Sequence, residues 1–325
     1  MTVAELKTPG TTPVTTKTSA VFRHILVATD FSEASRRALC DALVWAVENH
    51  ARLSVMHVLQ ADWNYAALES PPELDLARID AEKRIRALVD ELGPVPNFDS
   101  VVVKHGPVAE AAAAVIAEGA VDLLVIGTRG RGGLQKLALG SVAEELLRVT
   151  PCPVMTIGPK ADIATISYGP GFHRILFATD FGKASANALP LALALAKAHQ
   201  AKLVLLHMIP PMPATTGSLS AYAPATLAAD ELQEWEGTSR RRALKQLKEC
   251  LPAETGLEQE PEYVVGTDFL PEGILSAVSK FKIDLIVMGA NRTGLARAVA
   301  AAHVPWAAVH EVVRTAPCPV LTVAG

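Results

Sequence analysis

Short apolar runs alternate with longer amphipathic stretches along most of the chain. The runs are rich in Val, Ile and Leu without strict polar alternation, which is typical of strands buried on both faces of a parallel sheet. Ten of them are predicted as strands: 25–29, 53–58, 101–104, 123–126, 154–157, 175–179, 203–208, 263–265, 285–288 and 320–323. The alternation predicts an α/β fold, in which each half of the chain is an open, doubly wound, five-stranded parallel sheet with helices on both faces. Such sheets bind ligands at the carboxyl ends of their strands, near the point where the strand order reverses.

Helical periodicity fills the intervals between these runs. In the first interval, Leu39, Leu43, Ala46 and Val47 are predicted to share one buried helical face. A third helix is expected to begin near Pro107, because proline is tolerated in the first turn of a helix.

An internal repeat settles the domain organisation. The segment HILVATDF at 24–31 returns as RILFATDF at 174–181, and RVTPCPV at 148–154 returns as RTAPCPV at 314–320. The offset grows from 150 to 166 residues, so the second copy is about 16 residues longer. The predicted organisation is a flexible lead at 1–20, one domain at 21–158, a linker at 159–171 rich in Gly and Pro, and a second domain at 172–325.

Composition narrows the class of protein. Of the 325 residues, 50% are hydrophobic and 20% are charged, which suits two packed cores and excludes a disordered or collagen-like chain. The net charge of −4 argues against non-specific binding to nucleic acid or to an anionic membrane. No apolar stretch reaches the ~20 residues that a membrane span needs, and no secretory signal is recognised, so a cytoplasmic location is expected. The four cysteines are too scattered for a disulfide scaffold.

A glycine-rich segment follows the fourth predicted strand. Gly127, Gly130 and the pair Gly140-Ser141 form the spacing Gly-x2-Gly-x9-Gly-Ser, ahead of a predicted helix. Glycines let backbone amides approach an anion, and the helix that begins near Ser141 points its positive end at the same place. Arg129 and Arg131 add positive charge. A polyphosphate site is therefore favoured over the alternative of a basic, solvent-exposed glycine turn. The segment matches neither a P-loop nor the dinucleotide-binding glycine motif.

Taken together, the ATDF opening, this glycine spacing and the PCPV close resemble the universal stress protein family over nearly the whole chain, in two copies. The resemblance implies the strand order 3-2-1-4-5 in each copy and membership of the ATP-binding branch for the first copy. It implies that Ala28 and Asp30 lie beside the ribose and adenine and that Val58 and Ile126 line the base. It also implies that ribose and phosphates meet Gly127, Gly130, Gly140, Ser141 and Val142. Mg²⁺ is expected to accompany the triphosphate, with Ser141 as a candidate contact.

Asp30 and a repeated pair of histidines have plainer alternative interpretations. Asp30 is placed to accept a hydrogen bond from a ribose hydroxyl, but an Asx turn ahead of Ser32 would also explain it. His57 and His207 recur at the same offset, and a partly buried histidine bonded to the backbone explains them better than a metal ligand does.

The second copy departs from the glycine pattern. Arg292 stands where the second glycine of the motif would be. The Gly-Ser position falls on Ala302-His303 counting forward, or on Trp306-Ala307 counting back from the PCPV segment. We expect this copy not to bind ATP as the first does, and to serve as a pairing partner or as a site for another ligand.

Three functions are compatible with these features: an ATP-binding stress or signalling module, a slow ATP hydrolase, or a structural tandem with vestigial sites. The first is favoured, because the intact glycine spacing has no evident structural need and no catalytic base or nucleophile accompanies it. The copies are expected to pair inside the chain as the subunits of a homodimer would, and their edges to let two chains associate. No catalytic residue, no metal site apart from the Mg²⁺ that accompanies the triphosphate, and no particular protein partner is indicated.

Overall fold

We describe the fold from a computed structural model, in which residues 21–59, 71–93, 95–128, 139–161, 171–209, 229–290 and 306–325 are described. The predicted lead at 1–20 and most of the predicted linker lie outside these residues. The first half contains β1 His24–Ala28, α1 Glu33–Asn49, β2 Arg52–Leu59, α2 Pro71–Glu91, β3 Phe98–His105, α3 Val108–Gly119, β4 Leu123–Gly127, α4 Ser141–Val149 and β5 Val154–Ile157. The second contains β6 Arg174–Ala178, α5 Lys183–Ala198, β7 Lys202–Met208, α6 Ala229–Glu249, β8 Glu262–Gly266, α7 Leu270–Phe281, β9 Leu285–Ala290, α8 Trp306–Thr315 and β10 Val320–Ala324.

All ten predicted strands are present, and they form one sheet. Its order is β3-β2-β1-β4-β5-β10-β9-β6-β7-β8, so each half has its third, second, first, fourth and fifth strands side by side. Pairing within each half is parallel. Strand order reverses between β1 and β4 in the first half and between β6 and β9 in the second, which is where a doubly wound sheet opens a ligand crevice. The α/β class and the two copies are confirmed.

The halves are joined edge to edge through β5 and β10, which pair antiparallel. Met155 lies opposite Leu321, and Thr156 lies opposite Val320. The Thr156 hydroxyl donates to the Val320 carbonyl at 3.0 Å, and the Thr322 hydroxyl donates to the Val154 carbonyl at 3.3 Å. Because the join is antiparallel, the strands of the two halves run in opposite directions. The carboxyl ends of the first half's strands therefore lie at one end of the sheet, and those of the second half lie at the other end. The copies therefore pair within the chain, and β3 and β8 are left at the outer edges.

Two apolar cores, one on each face of the sheet, cross this join. The first contains buried residues of α3, α4, α7 and α8, with Val154 and Val320 at the join. The second contains buried residues of α1, α2, α5 and α6, with Met155 and Leu321 at the join. Since successive residues of a strand point to opposite faces, β5 and β10 contribute to both cores. Each core is thus shared by the two halves.

The first helices follow the sequence pattern with one exception. In α1, Leu39, Leu43 and Ala46 are buried as predicted, but Val47 is 49% exposed. Val47 comes eight residues after Leu39, which at ~100° per residue turns it about 80° away from that side chain, to the border of the apolar stripe. Pro107 is the N-cap of α3, as its position predicted. None of the helices in the described part of the chain is long and apolar enough to cross a bilayer.

Candidate functional site

Apolar side chains lie together where three neighbouring strands of the first half end. Ala28 and Ile126 are register partners on β1 and β4, and Ala28 is also paired with Met56 of β2. The Thr29 amide donates to the Met56 carbonyl at 2.8 Å and extends this pairing by one residue. Val58 comes two residues later in β2, on the same face as Met56, and its side chain is buried, as is that of Ile126. The two residues predicted to line the base and Ala28, predicted to lie beside the ribose and adenine, therefore lie at the same end of their strands.

The beginning of α4 is tied to the same edge. The Gly140 amide donates to the Thr128 carbonyl at 2.9 Å, and the Thr128 amide donates to the Ile157 carbonyl at 3.1 Å. Gly140 is the N-cap of α4 and makes no side-chain cap, whereas the hydroxyl of Ser32 caps α1 by accepting from the Ser35 amide at 3.2 Å. The first amides of an uncapped helix are open to an anion.

Ser141 and Val142, the first two residues of α4, are exposed at this edge. The structure thus brings Ala28, Ile126 and Gly127 to the edge at which α4 begins. Arg129, Gly130 and Arg131 lie outside the described residues, and their predicted role is untested.

The loop after β1 is held by its own side chains. Asp30 Oδ1 accepts a hydrogen bond from the Ser32 amide at 3.0 Å, so the Asx turn that was the alternative explanation for Asp30 is present. The Thr29 hydroxyl accepts from the Phe31 amide at 3.1 Å. Phe31 itself has φ 62°, a conformation that is uncommon for a bulky residue. This turn places Asp30 at the carboxyl end of β1, and the predicted contact with ribose stays a prediction.

An aromatic stack, which the sequence analysis missed, supports that loop. His57 Nδ1 donates to the Thr29 carbonyl at 2.7 Å, with the ring in the tautomer that carries hydrogen on Nδ1. The His57 ring lies 4.6 Å from that of Phe31, and the Arg84 guanidinium lies 4.0 Å from the Phe31 centroid. The second half repeats the histidine hydrogen bond, with His207 Nδ1 donating to the Thr179 carbonyl at 2.8 Å. The recurrence of both His and Phe at the 150-residue offset was the available signal.

Both histidines are therefore bonded to the backbone, as the plainer interpretation predicted. Burial lowers the pKa of His207, opposed by its bond to the Thr179 carbonyl and by the charge of Asp180. No group of three or more His, Cys, Asp and Glu side chains suited to a metal ion occurs among the described residues.

Gly127 has a structural need that the sequence analysis did not foresee. A Cβ at this position would lie 2.6 Å from the carbonyl carbon of Ala34 and 2.9 Å from the Ser35 amide nitrogen, because the start of α1 passes directly over the end of β4. Gly289 faces Ala184 and Ser185 of α5 in the same way. The glycine is thus retained in the half that has lost the rest of the motif, and close packing suffices to explain it.

Comparison with known proteins agrees with the repeat and the topology. The profile of the universal stress protein family matches residues 22–158 and 171–324. The chain belongs to the universal stress protein family. A universal stress protein of Thermus aquaticus is 33% identical over 137 residues, which are 42% of this chain and 99% of that protein. A homologue from Coxiella burnetii is 33% identical over 147 residues, which are 43% of this chain and 98% of that protein. Each relative corresponds to a single copy.

Solved structures that span both copies show the same fold. The crystal structure of a universal stress protein from Archaeoglobus fulgidus has a TM-score of 0.59 at 19% identity, covering 94% of this chain and 96% of that chain. A Pseudomonas aeruginosa protein described as functionally unknown has a TM-score of 0.56 at 18% identity, with 93% and 92% covered. At these identities the likeness concerns architecture. These structures agree with a chain that contains two domains of the same fold.

The second universal stress domain differs from the first at positions that correspond to the candidate site. Met208 of β7 takes the position of Val58, and its side chain packs against two glycines: a Cβ on Gly266 would lie 2.6 Å from the Met208 Cε, and a Cβ on Gly273 would collide with it. β9 continues to Ala290, and α8 begins at Trp306. Arg292 and the pair Ala302-His303 lie outside the described residues. Counting back from the PCPV segment, Trp306 stands where the first domain has Gly140.

Proposed function

We propose that the first domain binds ATP, together with Mg²⁺, at the carboxyl edge of β1, β2 and β4, and that the chain acts as a nucleotide-dependent stress-response and signalling module. The observation that carries this proposal is the N-terminus of α4. It has no side-chain cap, it is tied to the end of β4 by the bond between Gly140 and Thr128, and it lies at the edge where a doubly wound sheet takes its ligand.

The residues at this edge suit the three parts of the nucleotide. Ala28, Val58 and Ile126 offer apolar side chains to the adenine base. Asp30, already oriented by its bond to the Ser32 amide, offers a carboxylate to the ribose hydroxyls. We assign the phosphates to the first amides of α4 and to the predicted glycine segment, and the Ser141 hydroxyl is a candidate contact for Mg²⁺, which in proteins is held largely by phosphate oxygens and a few side chains.

Affinity in the micromolar range is reasonable for such a site. A hydrogen bond to a charged group contributes ~1.5–3 kcal/mol, so three or four of them approach the ~8 kcal/mol of a micromolar complex. We further propose that the second domain does not hold ATP in this way and that two chains can associate through their outer edges, β3 and β8.

The first experiment identifies the nucleotide and counts it. The protein is purified without added nucleotide and denatured, the released small molecules are identified, and ATP is then titrated calorimetrically with and without Mg²⁺. We expect one ATP per chain. Two per chain would mean that the second domain also binds, and no ATP by release or titration would leave a structural tandem. Steady turnover above ~1 s⁻¹ would instead favour the hydrolase.

A charge substitution locates the nucleotide. Ser141→Glu places a carboxylate at the first residue of α4, where it favours the helix dipole by ~0.3–1 kcal/mol but repels phosphate. We expect ATP binding to be lost while the melting temperature stays equal or rises. The matched control is Ala307→Glu, at the corresponding exposed position of α8, which we expect to leave ATP binding unchanged. Equal binding by Ser141→Glu and the wild-type protein would contradict the proposed site.

A further inference from the structure

Three side chains from the two domains form a cluster across the join on the α4 side of the sheet. Trp306, the first residue of α8, donates its indole N–H to Glu144 Oε1 over a long 3.4 Å. The Arg148 guanidinium lies 4.5 Å from the Trp306 ring centroid and donates to the same Glu144 oxygen at 2.8 Å. We call Trp306, Glu144 and Arg148 the Trp306 cluster. Glu144 and Trp306 are 162 residues apart in the chain.

Glu144 occupies a sensitive position for anion binding. It lies in the first turn of α4, whose uncapped end faces the proposed phosphate site. A carboxylate there competes with phosphate for the positive end of the helix and repels it. One feature limits that repulsion. Arg148 lies one turn further along α4, so the bond between them draws the carboxylate away from the N-terminal amides. The same bond, with a smaller contribution from the Trp306 indole, holds the pKa of Glu144 below its usual range, so the carboxylate stays charged and its position decides how strongly it repels phosphate.

Trp306 keeps this pair in place from the other domain. Its ring packs against one member of the pair and its N–H bonds the other, while both members are partly exposed and would otherwise be free to change rotamer. An exposed i,i+4 ion pair is a weak interaction, so it does not fix its own geometry. Stacking of the Arg148 guanidinium on the Trp306 indole adds a second contact of at least comparable strength, which favours one rotamer over the others.

We propose that Trp306 is a positioning residue for the nucleotide site of the first domain. It holds Glu144 and Arg148 so that the start of α4 stays open to phosphate, and it makes the ATP affinity of the first domain depend on the second. This inference rests on the proposed function. Trp306, which stands at the position of Gly140 when counting back from the PCPV segment, thereby serves the first domain.

The experiment measures ATP affinity by calorimetry in the full chain. We expect Trp306→Ala to weaken ATP binding about threefold to tenfold, and Trp306→Phe, which keeps a ring over Arg148 but loses the N–H, to fall between it and the wild type. The matched control is Trp235→Ala, on α6, which packs on the other face of the sheet. It removes a tryptophan from the same domain, and we expect ATP affinity to be unchanged.

A rescue separates positioning from a general loss of structure. If Trp306 acts through the charge of Glu144, then Glu144→Gln should restore affinity to within about twofold in the Trp306→Ala background, although it restores no packing. Unchanged affinity in Trp306→Ala, or a loss that Glu144→Gln does not rescue, would overturn the inference while leaving the proposed function intact. A wild-type chain that binds no ATP would overturn both.

Discussion

Gly127, at the end of β4, lies so close to Ala34, at the start of α1, that a Cβ on the glycine would come within 2.6 Å of the Ala34 carbonyl carbon. The contact is with backbone, which cannot rotate away as a side chain would. Gly289 repeats the relationship with Ala184 in the second domain. The first glycine of the motif therefore serves the packing of helix on sheet in both domains, whatever the ligand.

This relationship predicts that Gly127→Ala and Gly289→Ala each destabilise the protein, by ~1–3 kcal/mol, because an added Cβ must push α1 or α5 off the sheet. Urea unfolding followed by circular dichroism measures the change. The control is Gly237→Ala in α6, where the nearest atom to an added Cβ is the movable Arg241 guanidinium at 3.6 Å. There alanine should stabilise by ~0.5–1 kcal/mol. A loss at Gly127 with none at Gly289 would show that packing is not the shared reason.

Asp30→Asn tests the proposed ribose contact without removing the turn. Asparagine keeps an Oδ1 acceptor for the Ser32 amide but loses the charge that would accept from a ribose hydroxyl. We expect ATP binding to weaken about tenfold, the equivalent of ~1.4 kcal/mol. The effect should vanish with 2′,3′-dideoxy-ATP, which has no ribose hydroxyl to offer.

The matched control for Asp30 is Asp180→Asn in the second domain. Asp180 makes the same kind of turn, with Oδ1 accepting from the Gly182 amide at 2.8 Å, and it also accepts from the Ser185 hydroxyl at 2.7 Å. We expect no change in ATP affinity there. A loss of equal size for ATP and dideoxy-ATP in Asp30→Asn would assign Asp30 to the turn alone.

The shared cores predict that the two domains unfold together. Met155 and Leu321 face each other at the join and are fully buried in a core that contains residues of both domains. Calorimetry should show one transition with equal calorimetric and van't Hoff enthalpies. Leu321→Ala, in the second domain, should lower the unfolding free energy by ~2–5 kcal/mol. The same loss should be measured by the fluorescence of Trp45, in the first domain, in a variant from which the other tryptophans have been removed. Two resolved transitions would contradict this.

Asp41 predicts a particular dependence of stability on pH. Burial raises the pKa of Asp41 from 3.8 to about 6, against the opposing charge of Arg37. An acid whose folded pKa is raised binds its proton more tightly in the folded state than in the unfolded state. Its contribution to the free energy of unfolding is therefore fully present below pH ~4 and is lost as pH rises through about 6.

We therefore expect Asp41→Asn to equal the wild type near pH 4 and to be more stable than it at pH 7, by up to ~3 kcal/mol. Urea unfolding of both proteins between pH 4 and pH 7 measures the difference, and other titrating groups cancel in it. A constant difference across this range would mean that Asp41 titrates normally.

Much of the fold could be predicted because a strand that is buried on both faces is a run of mostly apolar residues, which is visible in the local sequence. All ten strands occur where the sequence has apolar runs, and the repeated ATDF and PCPV segments identify two copies. The candidate site could be predicted as far as it depends on strand ends and a helix start, as at Ile126 and Ser141. Val47 was misplaced because a periodic pattern does not say where an apolar stripe ends.

The remaining features depend on which surfaces meet. Apolar runs indicate that each half contributes five parallel strands whose carboxyl ends can take a ligand, since most of these runs must bury both of their faces whatever their neighbours are. Only packing decides that β5 and β10 pair antiparallel, that the start of α1 demands Gly127, and that Trp306 reaches Glu144. These contacts join residues far apart in the chain, and their energy comes from shape and charge complementarity that no local pattern encodes.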